Sequence, residues 1–195
     1  MSGKPQFDEA AVIAAAMGVF WRHGYAAASI SDLTAATRLS RSSLYQRFSD
    51  KDGLFREALA AYTERVVRRM NGTKADSARA RLEALLRVYL PDGSSRPPGC
   101  LIARSCAEIS DLSAEGQAAA LAGARREREI LTELLRDGVA AGELAKDADI
   151  DAMAWHYLAV LQAVLNFPQA GADPGALDRM IKVAMSAWPA PPSLR

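Results

Sequence analysis

Apolar residues recur with a helical period along almost the whole chain. The first such stretch runs from Phe7 to His23 and places on one face Val12, Ile13, Ala16 and Phe20. Gly24 follows it, in the position where glycine commonly ends a helix. No stretch alternates apolar and polar residues for long enough to predict a strand. Glycine and proline cluster instead at 91–99, around 142 and at 168–174. The pattern predicts an all-α protein of about nine helices.

Two short helices are predicted after the first one. Ser29 stands three residues before Asp32, a capping-box spacing, so a helix should begin there and end near Arg38. Ser40 can cap a second helix over residues 41–48, which is apolar on one face and polar on the other. Two short helices joined by a tight break are typical of a helix-turn-helix, in which the second helix enters the DNA major groove.

Ser49 and Asp52 repeat the capping spacing, which predicts the start of a long helix reaching residue 70. We therefore expect a DNA-binding domain over 1–52 and a regulatory domain over 53–195, connected by the helix 53–70. The regulatory domain should contain further helices at Asp76–Leu90, Cys100–Ser110, Ser113–Ala141, Asp149–Phe167 and Asp173–Trp188.

Polar side chains of the second short helix carry the predicted DNA contacts. With Leu44 and Phe48 buried, the groove or the phosphates would receive Arg41, Ser42, Ser43, Tyr45 and Gln46. Gln46 suits adenine, and Arg41 suits guanine or a phosphate. At the start of the next helix, Lys51 and the helix amides could together bind a phosphate, as could Ser29 and Ser40 at their own helix starts. The alternative is that the two serines are ordinary caps and Arg41 a solvated charge.

Composition adds limits rather than a function. The 195 residues carry a net charge of +1, with ten Lys and Arg against seven Asp and Glu in residues 1–70. Lys4 could reach a minor groove from the N-terminal arm or remain unengaged. The N-terminus lacks the apolar core of a signal peptide, and Ile150–Phe167 is too interrupted by polar residues to span a membrane. Two cysteines without metal-type spacing favour a cytoplasmic protein without a metal or cofactor.

The motifs resemble one family closely. The segments FWRHGY at 20–25, ASISDL at 28–33, LSRSSLYQRF at 39–48 and SDKDGLF at 49–55 are similar to the DNA-binding domain of TetR/AcrR-type transcriptional repressors. The resemblance covers the first quarter of the chain. It implies a homodimer that binds a palindromic operator and releases it when a small molecule enters the C-terminal domain. It also implies that Tyr45 contacts the DNA backbone or a thymine methyl.

Two residues depart from the family pattern. Arg38 stands in the turn where the family usually has glycine, and arginine tolerates a left-handed backbone less well, at a cost of roughly 1 kcal/mol. Ser42 stands near the start of the recognition helix, where the family often has glycine or a small residue. Neither departure removes the DNA-binding pattern, but both leave the preferred DNA sequence open.

The last two predicted helices should form the dimer interface. Helix 149–167 is apolar nearly all round, so it must be covered on both sides. Helix 173–188 has one apolar face. Pairing both helices with their symmetry mates in a four-helix bundle would bury these faces. The alternative is a monomer that buries them internally.

Cys100 is the first candidate for a sensing residue. It follows Pro97-Pro98-Gly99 and opens a predicted helix, where the helix dipole favours a thiolate, and Arg104 lies one turn later. The segment 99–113 also resembles the Gly-Cys-Leu segment of a family branch that senses electrophiles, quinones or oxidants. The alternative is that Cys100, like Cys106, is a small buried apolar residue. Trp155 and His156 are candidate ligand contacts, although a lone histidine within an apolar helix is more often a core residue.

Other classes of function remain as alternatives. The sequence shows no HExxH, phosphate-binding glycine loop or nucleophile elbow, so an enzyme is not expected. A transcriptional activator, or a ligand-binding helical dimer without repressor activity, stays open beside the repressor. The sequence identifies neither the inducer nor the operator.

Overall fold

The chain is helical throughout the part that the structure, a computed structural model, describes: residues 7–93 and 97–189. Nine α-helices occur in these residues, with no strand among them. They are α1 (Glu9–Ala27), α2 (Ile30–Thr37), α3 (Arg41–Phe48), α4 (Lys51–Asn71), α5 (Ala78–Arg87), α6 (Leu101–Ala107), α7 (Ala114–Ala140), α8 (Ile150–Asn166) and α9 (Pro174–Met185). Short 3₁₀ turns follow α6 and α8 at Ile109–Asp111 and Phe167–Ala170. The all-α prediction is confirmed; Lys4 lies outside the described residues.

The starts of the helices follow the predicted caps, with one exception. Ser29, Ser40 and Asp173 each accept a backbone N–H of the first turn that follows them. Ser49 was expected to cap α4, and this prediction is wrong. Ser49 has φ 70° as the residue that ends α3, so it cannot take the extended conformation of an N-cap. Asp50 caps α4 instead, since its carboxylate accepts the Gly53 N–H at 2.7 Å.

The ends of helices are predicted less well than the starts. Helix α5 ends at Arg87, α6 at Ala107 and α9 at Met185, each about one turn before the predicted end. The residues after these helices form tighter turns, whose backbone hydrogen bonds join residues three apart rather than four. Apolar periodicity continues through such turns, so it cannot show where α-helical bonding stops.

The described residues form two compact units. The first unit contains residues up to Arg65 together with Cys100–Ala124, so α1–α3, most of α4 and all of α6 belong to it. Its core is aromatic: the ring of Phe20 packs edge-on against Phe55 at 5.2 Å, and Trp21 packs against Tyr62 at 4.8 Å. This core fixes the positions of α1 and α4, which flank α2 and α3 along the chain.

The second unit contains Val66–Gly99 and the residues from Arg125 onward, with α5, α8 and α9 in contact with one another. Its core is mostly aliphatic, with Tyr157 as the largest fully buried side chain. The fully buried side chains include Met70, Leu82, Leu85, Leu86, Leu131, Leu135, Leu161, Val164 and Ile181. No helix within the described residues is long and apolar enough to cross a membrane. The predicted boundary at residue 52 stays a prediction.

A candidate DNA-binding surface

Helices α2 and α3 are joined by a tight turn that their own polar side chains fix. The Ser29 hydroxyl accepts the Asp32 N–H at 3.1 Å, and the Ser29 N–H donates to the Asp32 carboxylate at 3.0 Å, which completes the predicted capping box. Arg38 directly follows α2, and its φ of 58° confirms the expected left-handed turn. The Ser40 hydroxyl then accepts the Ser43 N–H at 3.1 Å. Both serine hydroxyls therefore serve as helix caps, and a DNA contact at these positions would have to come from the backbone amides.

The capping hydrogen bond to Asp32 also has an electrostatic consequence. The Ser29 side chain and backbone donate to the Asp32 carboxylate and so lower its pKa. Asp32 is therefore anionic over the whole neutral range and lies in the first turn of α2, where the helix dipole favours a negative charge.

Helix α3 has one buried face and one polar face, as predicted. Leu44 and Phe48 are buried. The other face presents exposed Arg41, Ser42 and Gln46, with Ser43 and Tyr45 half-buried beside them. The Arg41 guanidinium lies 5.3 Å from the centre of the Tyr45 ring, so these two side chains extend side by side. Donors of this kind on one face of a short helix can reach base edges and phosphates.

Arg47, which the sequence reasoning did not single out, points its charge back into its own domain. Its guanidinium donates to Glu9 of α1 at 2.8 Å and to Glu57 of α4 at 3.0 Å. The pairing lowers the pKa of Glu9 and raises that of Arg47 above its ordinary value. Arg47 thus ties α3 to both neighbouring helices, whereas Arg41 forms no ion pair within the described residues. No sequence signal distinguishes the two arginines, because Glu9 is 38 positions away.

Lys51 lies at the first position of α4, against the end of α1. Its ammonium is 3.5 Å from the Ala26 carbonyl oxygen and 4.5 Å from the centre of the Tyr25 ring. Burial lowers the pKa of Lys51, and the negative charge of Glu108 acts in the opposite direction. The chain packs closely here, since a side chain at Gly53 would collide with the Phe48 carbonyl oxygen. The start of α4 is thereby fixed beside the end of α3.

The candidate sensing residues of α6 lie in the first unit. Cys100 is buried and stands immediately before α6, with no capping hydrogen bond from its side chain. Cys106 is half-buried, with its sulfur 3.8 Å from the Ala120 carbonyl oxygen. Arg104 contacts Glu108, its Nε lying 3.4 Å from that carboxylate. Burial agrees with the apolar interpretation of Cys100 and does not test a sensing role.

Trp155 and His156, the other candidates, lie on the surface of the second unit. Trp155 is 56% exposed, and the Arg128 guanidinium lies 5.0 Å from its ring centre. The His156 side chain is exposed beside Tyr157, with the ring centres 4.9 Å apart. The interpretation of His156 as a core residue is therefore wrong for the single chain. No cluster of potential metal ligands occurs among the residues that the structure describes.

A short helix with a polar face, locked behind a tight turn, defines a helix-turn-helix DNA-binding protein. The family models agree: residues 12–58 match "Bacterial regulatory proteins, tetR family", and residues 78–184 match "Tetracyclin repressor-like, C-terminal domain". The chain belongs to the TetR family of transcriptional regulators.

Individual proteins are similar to this chain over almost its whole length. The HTH-type transcriptional repressor ComR of Escherichia coli (strain K12) is 26% identical over 194 residues, covering 96% of this chain and 92% of ComR. A cysteine mutant of the TetR family transcriptional regulator CifR, in complex with 26bp double-strand operator DNA, is 33% identical with a TM-score of 0.80, over 96% of this chain and 100% of that one. Reduced Escherichia coli NemR shares the fold, with a TM-score of 0.78 at 21% identity over 94% and 98% of the two chains.

Proposed function

We propose that this regulator is a homodimeric repressor that binds a palindromic operator through α3. In this proposal, a small hydrophobic or electrophilic molecule acts on the C-terminal domain and releases the DNA. The observation that carries the proposal is the division of charge on α3: Arg47 is neutralised by two carboxylates, while Arg41 and Gln46 stay exposed beside it. The similarity to a regulator bound to its operator supports the same assignment.

Each predicted contact has a distinct role in the proposed complex. Gln46 pairs with an adenine edge, and Arg41 pairs with guanine or a phosphate. Ser42, Ser43 and Tyr45 line the groove wall, where hydroxyl groups and the tyrosine ring meet the backbone or a thymine methyl. Lys51 and the first backbone amides of α4 bind one phosphate. The first backbone amides of α2 and α3, which follow Ser29 and Ser40, bind further phosphates.

Homodimerisation through α8 and α9 is supported by exposed apolar side chains on both helices. Trp155 on α8 is 56% exposed and Val183 on α9 is 72% exposed, although the opposite faces of the two helices are packed in the core. An isologous interface would cover both side chains by presenting the same surface twice. The two recognition helices would then meet successive major grooves, about 34–36 Å apart.

The DNA-binding part of the proposal is tested by selecting duplexes from a random pool with the purified protein. We expect a sequence with dyad symmetry, protected in footprinting over two half-sites and bound more weakly as salt increases. Gln46→Ala should relax the preference at one adenine, and Arg136→Ala, at an exposed arginine of α7, should leave it unchanged. Failure to enrich any sequence at moderate salt would overturn the repressor assignment.

Release of DNA through Cys100 is the more specific part of the proposal. Treating the operator complex with N-ethylmaleimide should release wild-type protein and the Cys106→Ser control, and should leave Cys100→Ser bound. Equal release of all three proteins would show that release does not require Cys100 and that the reagent acts at another residue. Arg104, Trp155 and His156 are the further residues at which substitution should shift the inducer response.

A further inference from the structure

Helix α1 is interrupted at Gly24, and a carboxylate from α6 closes the interruption. Gly24 has φ 79° and ψ 177°, so the turn Tyr25–Ala27 begins anew after it. The first amides of such a turn have no acceptor within their own helix. The Glu108 carboxylate accepts both of them, from the Tyr25 N–H at 2.6 Å and from the Ala26 N–H at 3.3 Å. One side chain of α6 thus fixes the backbone at the end of α1.

The approach of this carboxylate depends on glycine. A Cβ atom at position 24 would collide with the Glu108 carboxylate oxygen. The backbone conformation of Gly24 is also one that almost only glycine adopts. The close approach and the unusual backbone therefore occur at the same residue, which indicates a specific contact between α6 and α1.

The same turn holds the Lys51 ammonium. The Lys51 ammonium lies 3.5 Å from the Ala26 carbonyl oxygen and 4.5 Å from the centre of the Tyr25 ring, so it contacts the two residues whose amides Glu108 accepts. Any movement of the turn must displace these contacts. Glu108 also supplies the negative charge that offsets the effect of burial on the Lys51 pKa. The position of Lys51 therefore depends on the turn that Glu108 holds.

Glu108 itself depends on α6. It is the residue that ends the helix, and the Arg104 Nε lies 3.4 Å from its carboxylate. Cys100 precedes this helix and Cys106 lies within it. A shift or unwinding of α6 would therefore move Glu108 away from the Tyr25–Ala27 turn.

We propose that Glu108 is a positioning residue for operator binding, which holds the Tyr25–Ala27 turn and thereby directs Lys51 toward a DNA phosphate. Loss of this contact is the route by which a change in α6 reaches the DNA surface. The proposal rests on the phosphate contact assigned to Lys51 above. It assigns to Glu108 an effect opposite in sign to that of its charge, since removing an anion from a DNA-binding domain ordinarily strengthens binding.

The test compares Glu108→Gln with Asp111→Asn on the operator selected by the wild-type protein. Both variants lose one negative charge, and Asp111 is an exposed residue three positions away whose backbone N–H, unaffected by the substitution, donates to the Glu108 carbonyl oxygen at 2.9 Å. We expect Glu108→Gln to bind about five- to tenfold more weakly, as after loss of a charge-assisted hydrogen bond. Asp111→Asn should bind as tightly as wild type or slightly more tightly. Thermal melting of each variant confirms that it is folded.

Two further measurements separate positioning from a general loss of structure. If Lys51 no longer reaches its phosphate, the slope of log affinity against log salt should decrease by about 0.9 in Glu108→Gln. In a Lys51→Ala background, Glu108→Gln should weaken binding by less than about twofold, since coupled residues act non-additively. A structural defect would weaken binding equally in both backgrounds and leave the slope unchanged.

The outcomes are distinguishable. Wild-type affinity or an unchanged salt slope in Glu108→Gln would overturn the role of Glu108, provided that Lys51→Ala alone weakens binding and reduces the slope. If Lys51→Ala changes neither, the phosphate contact is wrong and the inference fails with it. If the wild-type protein prefers no duplex, the proposed function itself fails.

Discussion

Helices α3 and α8 each expose side chains that their own chain leaves uncovered, but of opposite kinds. On α3 the exposed side chains are hydrogen-bond donors, Arg41 and Gln46, next to an arginine that is already neutralised. On α8 the large apolar side chain that is exposed is Trp155, beside a helix face that is packed into the core. Polar donors suit a nucleic acid, and an exposed tryptophan suits a protein partner. This difference underlies the two proposed contacts, with DNA on α3 and with a second copy of the chain on α8.

The two helices are also held in different ways. Helix α3 buries only two side chains, so its orientation depends on its caps and on the Arg47 ion pairs. Helix α8 buries five side chains, including Tyr157, in an aliphatic core. Single polar or glycine substitutions should therefore disturb the DNA-binding region, whereas α8 should respond mainly to changes of its exposed face.

The largest effect is expected at Gly24, which the DNA-binding region requires. Gly24→Ala forces a side chain into a backbone region reserved for glycine and into the Glu108 carboxylate, so the free energy of unfolding should decrease by about 3 kcal/mol. Gly142→Ala is the matched control: its φ is 73° but nothing lies within 4 Å, so the loss should be about 1 kcal/mol. Urea denaturation followed by circular dichroism measures both. Equal losses would show that the approach of Glu108 does not constrain position 24.

The apolar surface of α8 gives the second prediction. Trp155→Glu places a charge where the proposed interface buries an indole ring, so the dimer dissociation constant should increase about a hundredfold. Leu121→Glu removes a comparably exposed apolar residue from α7, outside the proposed interface, and should leave the dimer intact. Sedimentation equilibrium distinguishes them. A dimer that survives Trp155→Glu and dissociates with Leu121→Glu would move the interface away from α8.

The two arginines of α3 give the third prediction. Arg41→Ala should weaken operator binding about tenfold without changing the melting temperature, because the side chain stands free of ion pairs in the described residues. Arg47→Ala should lower the melting temperature by about 2–4 °C, because it breaks two half-exposed ion pairs between helices. Fluorescence anisotropy and calorimetry measure the two effects. If Arg47→Ala alone reduced affinity and left stability unchanged, the Arg47 side chain would contact DNA rather than Glu9 and Glu57.

The smallest effect concerns the cap of α2. Ser29→Ala removes a capping hydroxyl and should lower the melting temperature at pH 7 by about 2–4 °C. Asp32 has a pKa below its ordinary value in the folded protein, so its contribution is present at neutral pH and is lost as pH falls through the folded pKa. Without the Ser29 hydroxyl this acid-dependent loss should be smaller. Melting curves at a series of pH values test this, and parallel curves for the two proteins would contradict it.

The features that the sequence predicted correctly are local ones. Caps at Ser29 and Ser40 depend on residues three positions apart, and the left-handed turn at Arg38 follows from the spacing of the two helices. The two faces of α3 follow from helical periodicity. Ser49 shows the limit of such reasoning. Its spacing to Asp52 fits a capping box, but its backbone has the positive φ of the residue that follows α3 and cannot also be extended.

Contacts between distant parts of the chain could not be predicted. Arg47 and Glu9 are 38 positions apart, and Glu108 is 83 positions from Tyr25, so neither pairing leaves a trace in local spacing. The exposure of His156 was missed for a related reason. A helix that is apolar on two faces has the same sequence pattern whether its second face packs against its own chain or against a partner protein.

The Glu108 contact has a consequence for the order in which the chain is made. Helices α1 to α3 are complete by residue 48. The Glu108 carboxylate, which accepts the amides of Tyr25 and Ala26, is synthesised 60 residues later. Until then, water must solvate those amides while the nascent chain lengthens. N-terminal segments generally fold first during synthesis. The helix-turn-helix can therefore form early on the ribosome, and the end of α1 takes its final hydrogen bonds only after α6 has emerged.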